Sequence, residues 1–193
     1  AVIWIPAALV GAGMVLPIAY LILRTLGAGT EVWDLLFRSR TLDILIRSAV
    51  LVVAVTGASV AIAVPLAWLT TRTDLPFRGV WSVITVLPLV IPSYVGGFLV
   101  VVALGPKGVL QGWLAPLGVE RLPEIFGFPG AMLTLTLLSY PYVLLPVRAA
   151  LGRLDRTLEE TSRSLGKGPW ATFFQVAFPL LRPAIAAGAL LVA

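Results

Sequence analysis

The charged residues of this chain fall in clusters separated by long uncharged gaps. Ala1 to Leu23 carries no charge, Arg47 and Arg72 enclose 24 uncharged residues, Arg78 and Lys107 enclose 28, and Glu124 and Arg148 enclose 23. A helix rises about 1.5 Å per residue, so about 20 residues cross the hydrocarbon of a bilayer. All four windows are long enough. A fifth, Pro183 to Ala193, runs for 11 residues to the end of the sequence. A span cannot stop halfway with its last carbonyls facing lipid, so the expectation is part of a longer polypeptide. Val50 to Val55 and Leu99 to Leu104 are apolar without alternation, which suits helices and not the strands of a membrane barrel. The pattern predicts an all-α, polytopic transmembrane helical bundle. Its spans lie at about 1–23, 48–71, 80–104 and 130–148, with a truncated fifth at 183–193 and a more polar segment over 151–182. The first window is longer than the apolar core of a secretory signal and lacks a basic stretch before it, so it reads as a span.

Prolines sit inside the spans at Pro17, Pro65, Pro88, Pro92, Pro141 and Pro146. Each removes a backbone donor and bends its helix, which neighbouring helices tolerate by satisfying the freed carbonyls. Pro88, Pro92, Ser93, Tyr94, Gly96 and Gly97 stand together in one run. That run predicts a kinked, closely packed helix suited to lining a passage.

Composition narrows the chemistry. Hydrophobic residues make up 59% of the 193, charged residues 12%, and mean hydropathy is +1.01. Cysteine and histidine are absent, which removes disulfides, thiolates, imidazole bases and the commonest zinc ligands. The net charge of +5 is dispersed among short loops instead of forming a stripe, so it fits a membrane surface better than nucleic acid. Arg148, Arg153, Arg156, Arg163, Lys167 and Arg182 make the segment after the fourth span the richest in cations. Positive charge favours the cytoplasmic side, which places 151–182 and Arg72 to Arg78 inside. Arg24, Arg38, Arg40 and Arg47 pull the other way.

The segment 151–182 is too polar to span, yet Leu151, Leu154, Leu158 and Leu165 keep a helical rhythm. Thr157 and Glu160 have capping-box spacing, which predicts a helix starting near Leu158. Gly166 ends it. Gly168 and Pro169 then start a second short helix carrying Trp170, Phe173, Phe174 and Val176, which Pro179 and Pro183 close before the fifth span. Such a knob reads either as an amphipathic loop on lipid headgroups or as a plug for a groove on a cytosolic protein.

Glu160, Thr161 and Ser162, then three residues, Gly166, nine residues and Val176, Ala177, Phe178, Pro179 resemble the EAA motif of permease subunits in binding-protein-dependent ABC importers. That pattern is Glu-Ala-Ala-x3-Gly-x9-Ile-x-Leu-Pro. The spacing agrees throughout, while Thr161 and Ser162 depart from the two alanines but stay small. From Ile91 to Gly96, Leu104 to Gly108 and Leu138 to Tyr142 the chain is similar to ferric-iron permeases. Thiamine, polyamine and sulfate permeases share the architecture. The resemblance implies a multi-pass protein of the bacterial inner membrane that forms a translocation path, for ferric iron in the first instance. It implies partners: cytoplasmic ATP-binding subunits, an extracytoplasmic substrate-binding protein, and a second permease half, fused or separate. It also implies that Glu160, Thr161, Ser162, Gly166, Trp170, Phe173, Phe174, Val176, Phe178 and Pro179 form a coupling element docked in the ATPase, with Glu160 anchoring the turn.

No phosphate-binding loop is present, because Gly166-Lys167-Gly168 lacks both the spacing and the hydroxyl residue. No cofactor is expected on this chain, and ATP is expected on the partner. Ferric ion prefers oxygen ligands, yet no carboxylate lies within a span, and only Tyr20, Tyr94, Tyr140 and Tyr142 offer phenols there. Tyr94 and Tyr140 are therefore passage candidates, but they read first as packing or interfacial residues. A secondary transporter would place an ionisable group inside a span, and a membrane enzyme would need polar catalytic groups at depth. The windows hold no charged residue for the first, and only serines, threonines and tyrosines for the second.

Overall fold

The computed structural model describes residues 4–27, 37–106, 108–118 and 125–193. Every regular element among them is helical. The chain divides into two compact units, Ala1–Ser48 and Ala49–Ala193. The first holds α1, Trp4–Leu26, whose Trp4, Ile5, Met14 and Leu21 are all exposed. It also holds the start of α2, Ser39–Arg72, where Asp43 and Arg47 pair at 2.8 Å on the surface.

In the second unit α2 buries Val55, Ser59, Ala63 and Ala67, four residues apart along one ridge. Their small volumes let neighbours approach closely. The central helix is α6, Phe128–Arg153, with Tyr140, Val143, Leu144, Val147 and Leu151 buried at helical spacing. Against it lies α9, Phe178–Val192. Gly188 sets their separation, because a Cβ there would stand 2.6 Å from Val143 Cα. Lipid tails are as apolar as these side chains, so van der Waals fit holds the helices together.

The expected single span at 80–104 is broken. Helix α3, Arg78–Ile84, gives way to a 3₁₀ turn, Leu87–Val90, and α4, Ser93–Leu104, comes next. Ile91 is extended (φ −83°, ψ 118°) because the ring of Pro92 disfavours the helical region for the residue before it. A kink becomes a break because other elements satisfy the carbonyls released. Arg148 donates to Ser82 O at 3.0 Å and Tyr140 donates to Thr85 O at 2.8 Å. Helix α4 stops at Gly105, and a short α5, Val109–Leu114, occupies the stretch expected to be a loop.

Beyond α6 come α7, Arg156–Ser164, and α8, Pro169–Thr172. The sequence predicted that Pro179 and Pro183 would close a separate second helix. Instead α8 continues through a π turn, Phe173–Ala177, into α9, giving one apolar tract, Pro169–Val192, of 24 residues. The widened turn precedes Pro179, whose ring would clash with the Gln175 carbonyl in a regular helix. Five tracts among the described residues have the length and composition to cross a membrane: Trp4–Leu26, Ser39–Arg72, Ser93–Leu117, Phe128–Arg153 and Pro169–Val192.

Candidate functional site

The segment between α6 and α9 folds as a knob whose shape is set by its termini. Leu154 and Asp155 are extended, which turns the chain out of α6. Asp155, not Thr157, caps α7: its carboxylate accepts from the Thr157 N–H at 3.0 Å. The predicted capping box with Glu160 is therefore replaced by a cap two residues earlier. The hydrogen bond from the Thr157 backbone lowers the Asp155 pKa, since it favours the charged carboxylate.

At the other end Gly166 takes φ 83°, the left-handed region open to glycine at little strain. Gly166 N–H donates to Arg163 O at 2.9 Å and Lys167 N–H to Ser162 O at 3.3 Å, the two bonds of a Schellman turn. Gly168 then sits at the N-terminal boundary of α8 and Pro169 in its first turn, as their order in the sequence predicted. Ser162 Oγ and Thr172 Oγ1 share a buried hydrogen bond of 3.1 Å that ties α7 to α8. Of the two non-alanine residues in the motif, Ser162 is buried against Thr172, which demands a small side chain, while Thr161 is exposed and bonds only its own helix at Thr157 O.

The aromatics differ in exposure. Phe173 is 9% exposed and meets Trp68 of α2 edge to face at 4.8 Å. Trp170, at 76% exposed, stacks with the exposed Phe174, whose ring also meets Phe173 edge to face at 5.1 Å. Phe173 is thus the inward-packed member of the set expected to contact a partner. Leu158 and Leu165 join Trp170 and Phe174 on the surface. Val176, Phe178 and Pro179 are half-buried in the transition to α9, and Arg182 lies 5.7 Å over the Phe178 ring. Val64, Trp68, Trp170, Phe174 and Phe178 line an apolar cavity of about 540 Å³ between α2 and the knob.

Glu160 does not anchor the turn. It is exposed and has no ion pair among the described residues. The anchor is its neighbour Glu159, buried with Oε1 3.3 Å from Arg72 Nε at the end of α2. Arg72 also donates to Leu151 O and Leu154 O, both at 2.8 Å. A guanidinium at the C-terminal carbonyls of α6 adds donors where the helix ladder runs out and meets the negative end of the helix dipole. Arg78 does the same for α2, donating to Thr70 O at 2.6 Å and Thr71 O at 3.0 Å. Arg72, Arg78 and Glu159 were missed in the sequence, where Arg72 and Arg78 looked like ordinary loop cations.

The passage candidates scatter. Tyr94 is exposed and Tyr140 is buried on Thr85. Gly96 packs under Leu138, Gly97 borders a cavity of about 480 Å³ between α4 and α6, and Pro88, Pro92 and Ser93 form the break itself.

A helical bundle with an exposed, rigidly turned knob between two apolar helices is the architecture expected of the resembled permeases. Residues 59–193 match the family described as "Binding-protein-dependent transport system inner membrane component". The chain belongs to this family. Within it, the chain is 35% identical over 127 residues to the molybdenum transport system permease protein ModB of Azotobacter vinelandii, covering 66% of this chain and 55% of that one. It is 37% identical over 186 residues to the Fe(3+)-transport system permease protein FbpB 2 of Haemophilus influenzae, covering 96% of this chain and 33% of that one. The chain thus spans about half the length of the molybdenum permeases it matches. A solved bacterial ABC transporter involved in the import of the acidic polysaccharide alginate shares the fold. Its TM-score is 0.67 at 17% identity, over 98% of this chain and 72% of that one. As an inner membrane component of this transport family, the chain places its apolar helices in the bacterial inner membrane.

Proposed function

We propose that this chain is the permease part of an ATP-driven importer. Its knob is gripped by a separate cytoplasmic ATPase, an extracytoplasmic binding protein delivers the cargo, and a second permease half completes the path. The knob's construction carries this reading. Asp155, the Gly166 turn and the Ser162–Thr172 bond fix its shape from within. Glu160, Leu158, Leu165, Trp170 and Phe174 stay free on its surface. A rigid element with exposed apolar groups beside a carboxylate suits a groove on another protein. Because Trp170 and Phe174 begin the tract that continues as α9, a displacement of the knob moves a membrane helix without an intervening hinge.

The cargo we propose is ferric iron, supported by the match to the Fe(3+) permease running nearly end to end along this chain. Molybdate is the second reading, supported by the 35% identity to ModB, and sulfate permeases are also relatives. The full-length protein, reconstituted with its ATPase subunits and binding protein, tests both levels. ATP-dependent uptake of labelled ferric iron but not molybdate or sulfate is expected. Uptake of another ion replaces iron alone, and uptake independent of ATP and of the ATPase subunits overturns the importer.

A further inference from the structure

The arginine at the end of α2 joins three elements that otherwise have separate ends. Its side chain, 6% exposed, donates through Nη2 to Leu151 O and Leu154 O at 2.8 Å. Its Nε faces Glu159 of α7 at 3.3 Å, and that carboxylate is 12% exposed. The pair is close enough for charge attraction, yet neither Arg72 Nε nor Glu159 Oε1 has an aligned hydrogen bond among the described residues. The backbone bonds therefore fix Arg72 to α6 firmly, and the ion pair fixes α7 to Arg72 by attraction without a locked geometry. Direction and softness both matter here. Coulomb attraction at this depth persists through small sliding movements, whereas a hydrogen bond weakens steeply with misalignment.

The rest of the knob reaches the bundle through Phe173, at the start of the π turn that follows α8, on Trp68. Helix α7 itself has one charged attachment to the spans among the described residues, Glu159 on Arg72. Glu160 beside it points out. Two adjacent glutamates thus divide the work, one facing the bundle and one facing solvent.

We propose that Arg72 and Glu159 form a transmission pin: a buried ion pair that carries displacement of α7 to the shared ends of α2 and α6, while α8 carries it to α9. Arg72 and Glu159 are positioning residues, and the proposal rests on the importer reading. It specifies which buried contact turns knob movement into movement of two spans. The pair is also asymmetric. Removing Glu159 leaves Arg72 with two carbonyl partners, whereas removing Arg72 strips α6 of its cap and leaves a buried carboxylate uncompensated.

A neutral double variant separates transmission from mere folding. In Arg72→Gln, Glu159→Gln together, no buried charge is left unpaired, so thermal stability recovers relative to Arg72→Gln alone. Transport per ATP hydrolysed in the reconstituted complex nevertheless stays down by about tenfold, as it does in Glu159→Gln, with ATPase subunits still copurifying. A second readout needs no ATPase. The chain contains no cysteine, so spin labels at Leu158→Cys and Leu69→Cys, both exposed, report the distance between α7 and α2 in the purified full-length protein. A narrow distribution in the parent and a broad one in Glu159→Gln are expected. An unchanged distribution, or wild-type transport per ATP in the double variant, overturns the pin. A parent that neither copurifies with ATPase subunits nor transports with ATP overturns the importer reading instead, and the spin-label result then still decides whether the pin restrains α7.

Discussion

The Tyr140 hydroxyl donates to the carbonyl of Thr85 at 2.8 Å, joining the middle of α6 to the point where the span expected at 80–104 breaks. Both residues are buried, and a carbonyl freed by a broken helix in this setting has no water to turn to. Tyr140→Phe keeps the ring and removes the donor. A loss of about 1 kcal/mol is expected, seen as a lower melting temperature of the purified protein in detergent. An unchanged melting temperature means that Thr85 O has another partner.

Two buried glycines give opposite forecasts for the same substitution. At Gly188 an added Cβ meets Val143 Cα at 2.6 Å, and backbone cannot step aside. At Gly96 it meets the tip of Leu138 at 2.7 Å, which can rotate away. Gly188→Ala should cost about 1–3 kcal/mol as α6 and α9 are forced apart, and Gly96→Ala clearly less. Gly57→Ala, with open space around it, serves as the control in a comparison of folded yield and melting temperature.

Gly166 has room for a side chain but not the backbone for one, since its φ is 83°. Gly166→Ala is expected to cost about 1 kcal/mol, and Gly166→Asn less, because asparagine visits this region more readily. The protein stays in the membrane in both cases. The activity of the reconstituted complex should keep the same order, Gly above Asn above Ala, and equal activity for all three would show that this turn need not hold its shape.

The cap on α7 carries a pH dependence of predictable sign. The Thr157 backbone bond holds the Asp155 carboxyl below its ordinary range. Its stabilisation is complete at neutral pH and down to the ordinary aspartate value of about 3.9, and is lost as pH falls through the depressed value. Protection of the Thr157 amide, corrected for intrinsic exchange, should decline over that acid window. In Asp155→Asn, which keeps an acceptor but cannot titrate, the decline should vanish.

Sequence patterning carried the features that depend on one stretch of chain. Uncharged windows located the apolar helices, and the glycine at 166 and the Gly168–Pro169 pair located the knob's two turns. Features that depend on a distant partner stayed hidden. The run around Pro88 and Pro92 predicted a kink, and the break arose because Tyr140 and Arg148, more than fifty residues on, satisfy the released carbonyls. The facing of Phe173 depends on a distant partner too, since its ring is seated edge to face on Trp68 of α2. The choice between Glu159 and Glu160 is one of phase, and it was decided by an arginine that the sequence offered only as a loop charge.

The grip on the knob can be tested at Trp170, the most exposed of its aromatics. A photo-reactive amino acid placed there, in membranes containing the full-length protein at native level, should cross-link on illumination to a nucleotide-binding subunit identified by mass spectrometry. Cross-linking to lipid alone, with the subunit absent from the product, would make the knob a headgroup-bound loop and contradict its role as the handle of a motor.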